Sequence, residues 1–266
     1  MLLNYNQLGR LKYVLLGITG VICLFLLLPV IFIILLSFGS SQWMIFPPPG
    51  WTLRWYVELF ADPRWFEAAF TSFKLGLMVT VLSVILGFFA SYALIRGRFA
   101  GRGFLRALFM TPMVMPVVVV AVALYAMFLR VGLSGTWLGF VIAHTILAFP
   151  FAVIAISNSL ERFDKAIEDA AILCGASHLE AIWRITLPSI RLGLLSAALF
   201  SFLASWDEVV VAIFMASPTL QTLPVRIWGA LRQDLTPVIA AASSLLVILT
   251  LVLMTIAASL QKVLNR

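Results

Sequence analysis

The chain has 266 residues, 63% of them hydrophobic and 11% charged, with a formal net charge of +7 and a mean hydropathy of +1.10. No soluble domain hides that much apolar surface inside itself, so the composition excludes a water-soluble protein and makes a membrane the natural solvent. The positive charge is no nucleic-acid footprint either, because it is sorted between alternate loops.

A membrane span needs about 20 mainly apolar residues. Six stretches meet that length: about 13–38, 70–95, 107–129, 139–157, 193–216 and 237–261. Barrel strands would be about half as long. The predicted fold class is therefore all-α, a polytopic membrane protein with six transmembrane helices. Residues 1–12 and 262–266 form short tails around a transmembrane domain at 13–261. The first stretch is too long for a signal peptide and lacks a small-residue cleavage site, so it reads as a permanent helix.

Basic residues fix the predicted orientation. Arg10 and Lys12, then Arg96, Arg98, Arg102 and Arg106, then Arg162, Lys165, Arg184 and Arg191, and finally Lys262 and Arg266 fall on one side. The other side holds Arg54, Arg64, Arg130, Arg226 and Arg232, with Lys74 at a helix mouth. The excess places both termini in the cytoplasm.

The first outer segment, 39–69, contains Pro47-Pro48-Pro49-Gly50 and the aromatics Trp43, Trp51, Trp55, Tyr56 and Trp65. Such side chains sit at headgroup depth, and a short surface helix is expected near Val57–Phe60. In the third stretch, Pro112 and Pro116 are expected to bend or break the helix. His144 stands alone in the fourth and reads as a packed, hydrogen-bonded side chain rather than a proton relay. Cys23 and Cys174 lie too far apart in context to pair, and no metal-ligand cluster exists in the sequence.

Residues 158–192 form the longest inner loop. Ile167, Ala170, Ala171 and Cys174 recur at helical spacing, as do Leu179, Ile182, Trp183 and Thr186. Two short amphipathic helices are predicted. Gly175 ends the first, Ser177-His178-Leu179-Glu180 caps the second, and Pro188 ends or bends it. By spacing alone, these helices suit a cover over the chain's own inner surface better than a docking site for another protein.

The fifth stretch carries Trp206-Asp207-Glu208 well inside its apolar run. An unpaired acid at the bilayer centre costs about 2.5–3.5 kcal/mol on insertion scales, so these acids should face a wet cavity or a partner charge. They meet either a cationic solute or another helix, and Trp206 beside them offers a ring face to a cation.

The inner loop has a second signature. Asp169-Ala170-Ala171, Gly175, then Ile185, Leu187 and Pro188 at fixed spacing resemble the EAA coupling loop of ABC importer permeases. The resemblance implies a type I ABC importer permease (MetI-like) fold in the bacterial inner membrane. Asp169 stands where that family usually has Glu, and Glu168 is expected to supply the missing reach. Pro48 to Tyr56, His144 to Pro150, Thr222 to Arg226 and Thr236 to Ala241 resemble the spermidine/putrescine permeases in particular. One departure is Val117, where some of those permeases carry an acid.

The resemblance implies a transport subunit that is not an enzyme and binds no cofactor. The chain lacks a Walker sequence, so ATP and Mg would be bound by a partner ATPase. The implied partners are a cytoplasmic ABC ATPase dimer, a second homologous permease, a periplasmic or lipid-anchored solute-binding protein, a small cationic solute and membrane lipid, with no nucleic acid. An ABC permease for an opine or amino acid, or an ion-coupled secondary transporter, is the alternative. A secondary transporter predicts inverted halves, and none is visible in the sequence.

Overall fold

The computed structural model describes residue 9, residues 11–233 and residues 236–264. Most of the expected N-terminal tail falls outside those residues, whereas residues 262–264 of the expected C-terminal tail are described and continue the last helix. Among the described residues helices dominate, and the only extended pairings are the isolated bridges Gly39–Trp51 and Ser217–Leu220. The chain divides into two compact units: Met1–Asp62 with Gly229–Leu251, and Pro63–Trp228 with Val252–Arg266.

The first unit begins with α1 (Leu11–Leu36), which contributes no buried residue. After it comes α2 (Arg54–Ala61), longer than the short helix expected at Val57–Phe60. Its position is fixed by polar contacts. The Trp55 indole N–H donates to the Gly39 carbonyl at 2.6 Å, and the Ser37 and Tyr56 hydroxyls lie 2.7 Å apart. The expected aromatic belt is split: Trp43 and Trp51 are exposed, but Trp55 is buried.

The second unit is built on α3 (Pro63–Arg96), α6 (Trp137–Arg162) and α10 (Arg191–Trp206), which pack pairwise. Lipid gives apolar side chains no reason to cluster, so close packing must hold such helices together. Gly87 of α3 illustrates this. A Cβ there would lie 2.8 Å from the Ala152 Cβ of α6, so only glycine lets the two backbones approach. A buried cluster including Leu75, Val79, Phe128, Phe140, Val211 and Met215 fills one part of the unit.

Two expected spans are not continuous. The stretch 107–129 splits into α4 (Arg102–Val114) and α5 (Val117–Val131), bent by 102°. Pro116 lacks an N–H and pushes Met115 into extended backbone (φ −74°, ψ 146°). Pro112 lies inside α4 without ending it. The stretch 193–216 ends at Trp206 and resumes as α11 (Val210–Met215). Asp207 and Glu208 therefore sit in a break, not well inside a helix as expected. The amphipathic α12 (Leu223–Gln233) follows, and α13 (Pro237–Leu264) ends the chain.

Among the described residues, α1, α3 and α6 each suffice by length and composition to cross a bilayer, and two bent pairs raise the number to five. One of those pairs is α4–α5. The other joins the residues before Ser189 to α10, with a 72° bend.

Candidate functional site

The inner loop folds as two short helices around a tight turn. Asp164 caps α7 (Lys165–Leu173) by accepting the Ala166 N–H at 2.9 Å. At the other end, Gly175 adopts φ +98°. Its N–H donates to Ile172 O, and the Ala176 N–H donates to Ala171 O. This paired arrangement satisfies the last carbonyls, and glycine takes the left-handed backbone without a Cβ penalty. Ser177 then caps α8 (His178–Ala181). The Glu180 N–H donates to Ser177 Oγ at 3.2 Å, and the Ser177 N–H donates to Glu180 Oε2 at 3.0 Å. The Ser177 backbone and hydroxyl, with Arg184 nearby, hold the Glu180 carboxyl below the usual carboxylate range.

The end or bend expected at Pro188 falls two residues later. A π turn at Ile182–Thr186 leads into α9 (Leu187–Ser189), and the bend comes at Ile190. The Leu187 N–H reaches back five residues to Ile182 O, which takes the chain through the register where proline offers no donor. The expected apolar stripe is divided between outside and inside. Leu179 and Trp183 are 64% and 65% exposed, whereas Thr186 is buried and Ile182 packs inward.

α7 reverses the usual amphipathic logic. Its apolar Ile167 and Leu173 point outward, Leu173 being 88% exposed. Its buried residue is Glu168, 4% exposed. The Thr186 hydroxyl donates to Glu168 Oε1 at 2.8 Å, and the Tyr92 hydroxyl donates to Oε2 at 3.4 Å. Arg96 Nη2 lies 3.4 Å from Oε1 and also donates to the Phe163 carbonyl at 3.0 Å. This corrects the expectation that Glu168 lends reach to an outer contact: its carboxylate is held inside the chain. Asp169 is exposed and pairs with Lys165 at 3.2 Å. Ala170, Gly175 and Pro188 are exposed, and Ala171, Ile185 and Leu187 are half-buried.

The loop thus has a charged root and an outer face on which apolar side chains stand among exposed ion pairs. Burying a carboxylate costs free energy unless it is paired and fully hydrogen-bonded, and Glu168 has both kinds of partner. Exposed Leu173, Leu179 and Trp183 on a segment outside the spans are the kind of surface that another protein covers. Sequence inspection missed Arg96, Tyr92 and Thr186 as parts of this root. Arg96 and Tyr92 lie more than 70 positions away from Glu168, so no local pattern links them.

At the break after α10, the three expected residues separate. Trp206 is 1% exposed and stacks on Phe202, with centroids 5.6 Å apart and planes 17° apart. Its ring is packing, the commoner role of a tryptophan in a membrane helix, and it presents no open face to a cation. Glu208 Oε1 accepts the Val211 N–H at 2.8 Å and so caps α11. Asp207 is exposed, and its carboxylate has no hydrogen-bond partner among the described residues. Nearby, His144 is buried with Nδ1 3.0 Å from the Ser205 hydroxyl, in line with a packed role. Lys74 lies over the Trp137 ring at 4.9 Å. No group of His, Cys, Asp and Glu able to hold a metal occurs among the described residues.

Comparison with known proteins gives these features a family. The putrescine transport system permease protein PotI of Escherichia coli K12 is 31% identical over 244 residues, spanning 89% of this chain and 85% of that protein. The spermidine/putrescine transport system permease protein PotC of Haemophilus influenzae is 29% identical, spanning 89% and 91%. In fold, the chain matches a subunit from the crystal structure of a bacterial ABC transporter that imports alginate, with TM-score 0.72, 18% identity and coverage of 97% and 98%. Residues 83–266, which include the inner loop and the acids at the break, match the binding-protein-dependent transport system inner membrane component family. The chain belongs to that family: it is a multi-pass inner-membrane permease, a transport subunit of an ABC importer rather than an enzyme.

Proposed function

We propose that this permease imports a small polyamine-type cation, such as putrescine or spermidine, by alternating access, and that the outer face of α7 and α8 is gripped by a cytoplasmic ABC ATPase dimer. In this proposal the chain spans the membrane six times with both termini inside, beside a second homologous permease. A periplasmic or lipid-anchored binding protein delivers the solute. ATP and Mg are bound by the ATPase. The names of PotI and PotC support the solute class.

One observation carries the docking claim: Leu173, Leu179 and Trp183 stand exposed on a helix pair whose opposite side is rooted through Glu168. A mere lid would turn its apolar side chains inward. ATPase closure then biases the permease only if the ATPase contacts the inward-open and outward-open states differently; tight docking alone shifts nothing.

At the break, Asp207 meets the ammonium group and Glu208 holds the backbone. The acid missing at Val117 is then offset by Asp207, the carboxylate without an internal partner. Gly175→Trp tests the docking claim. No neighbour lies within 4 Å of a Cβ at this position, so the added bulk projects into open space; the positive φ also strains any residue but glycine, and Gly175→Asn, strained but small, is the control that separates bulk from strain. Loss of ATP-driven uptake with normal membrane insertion is expected, and unchanged uptake overturns the claim.

A further inference from the structure

The root of the inner loop connects three separate pieces of chain. Glu168 belongs to α7, Thr186 to the π turn, and Arg96 with Tyr92 to the last two turns of α3. A single carboxylate joins them. Arg96 makes a second attachment, through the Phe163 carbonyl at the start of the loop, and its guanidinium lies 5.8 Å from the Phe163 ring. We propose that the Arg96–Glu168 pair, braced by Thr186, is the linkage that transmits displacement of the inner loop into α3. This rests on the docking of that loop by the ATPase.

Three features suit the pair to such a role. First, it is well shielded: the Arg96 and Glu168 side chains are 12% and 5% exposed, so water screens it little. Second, the bonds hold both helical parts of the loop to one helix, so the loop moves as a piece. Third, α3 is in contact with the rest of the unit through close approaches, as at Gly87 against Ala152. A packed interface passes on a shift that a loose one would absorb.

The surroundings also leave room for movement. A cavity of about 370 Å³ borders the pair, lined by Tyr92, Arg96, Lys165, Asp169 and His178 among others. The linkage is therefore a hinged contact at the edge of a cavity rather than a bond sealed in a solid core. Arg96 and Glu168 are positioning residues in this proposal: neither touches the solute.

The test uses the whole importer, reconstituted in proteoliposomes with its second permease, ATPase and binding protein. Three quantities are read together: ATPase retained on purification, ATP hydrolysed, and putrescine taken up. Glu168→Gln keeps shape and removes charge. It is expected to retain the ATPase within about twofold while uptake per ATP falls about fivefold or more. Thr186→Val should fall less, in the same direction. Arg96→Lys, which keeps the charge and a donor, should lose less coupling than Arg96→Gln. If Glu168→Gln transports at the normal ratio, or if uptake falls only as ATPase is lost, the linkage is overturned and the docking proposal survives. If the wild-type chain retains no ATPase, both fall.

Discussion

The inner loop and the break after α10 both interrupt helices with acids, and they are built on opposite plans. The loop from Asp164 to Ser189 satisfies its own backbone with an N-cap, a left-handed glycine and a capping box, and leaves apolar side chains outside. The break from Asp207 to Val209 sits between packed helices, spends one acid on the next helix start, and leaves the other acid outward. The first plan makes a rigid object for another protein to hold. The second makes one charge available where helices part. Charge placement differs accordingly: the loop buries the Glu168 carboxylate while Leu173, Leu179 and Trp183 stand exposed among surface ion pairs, and the break leaves the Asp207 carboxylate exposed while Trp206 is buried.

Breaking the loop's outer face should have the largest effect. Trp183→Asp adds a charge to an exposed position without touching the root, so the chain should insert normally. A central interface aromatic is worth about 2–4 kcal/mol, so ATPase co-purification should be nearly abolished. Equal retention of the ATPase would remove the contrast between the two regions.

Next comes Gly175. At φ +98° any other residue is strained by about 1–2 kcal/mol, with asparagine the best tolerated. Gly175→Val should reduce uptake markedly, and Gly175→Asn should retain most of it. If both behave alike, backbone geometry is not what the position supplies.

The two acids at the break sharpen the comparison further. Asp207→Asn should raise the KM for uptake about tenfold, the scale of one lost charged contact. Glu208→Gln should leave KM within about twofold and instead lower thermal stability by about 1 kcal/mol, because it weakens a helix cap. Equal KM changes in both variants would contradict the division of roles.

The smallest effect concerns pH. Glu180 is held below its ordinary value of 4.5, first by the Ser177 N–H, then by the Ser177 hydroxyl and Arg184. Its contribution is therefore complete above pH 4.5 and is lost as pH falls through the lowered value. Hydrogen exchange at the Ser177 amide, corrected for its intrinsic rate, should stay constant from neutral pH to that point and quicken below it. Ser177→Ala should quicken exchange of the Glu180 amide at every pH, by about 1 kcal/mol of protection.

What the sequence revealed follows from which signals are local. Asp169-Ala170-Ala171, Gly175 and the Ser177–Glu180 box act within a few residues, so their structural roles were legible: Gly175 is left-handed and the box is closed. The break at Asp207 was not, because Val209, Val210 and Val211 continue the apolar run and hydropathy does not register a lost hydrogen bond. The π turn was equally silent, since it changes phase without changing composition. Glu168 was misplaced because its partners Arg96 and Thr186 are brought to it only by tertiary folding. Pro116 was legible as a break, but not the size of the bend it permits.

One thiol probes the inner loop without any mutation. Cys174 is exposed at the end of α7, beside Gly175, whereas Cys23 lies exposed on α1. Maleimide labelling of Cys174 in inside-out membranes should be slow while the ATPase is in place and rapid once it has been stripped off. Labelling of Cys23 should not change between the two states. If Cys174 labels at the same rate with and without the ATPase, the outer face of α7 and α8 is not where the motor holds this permease.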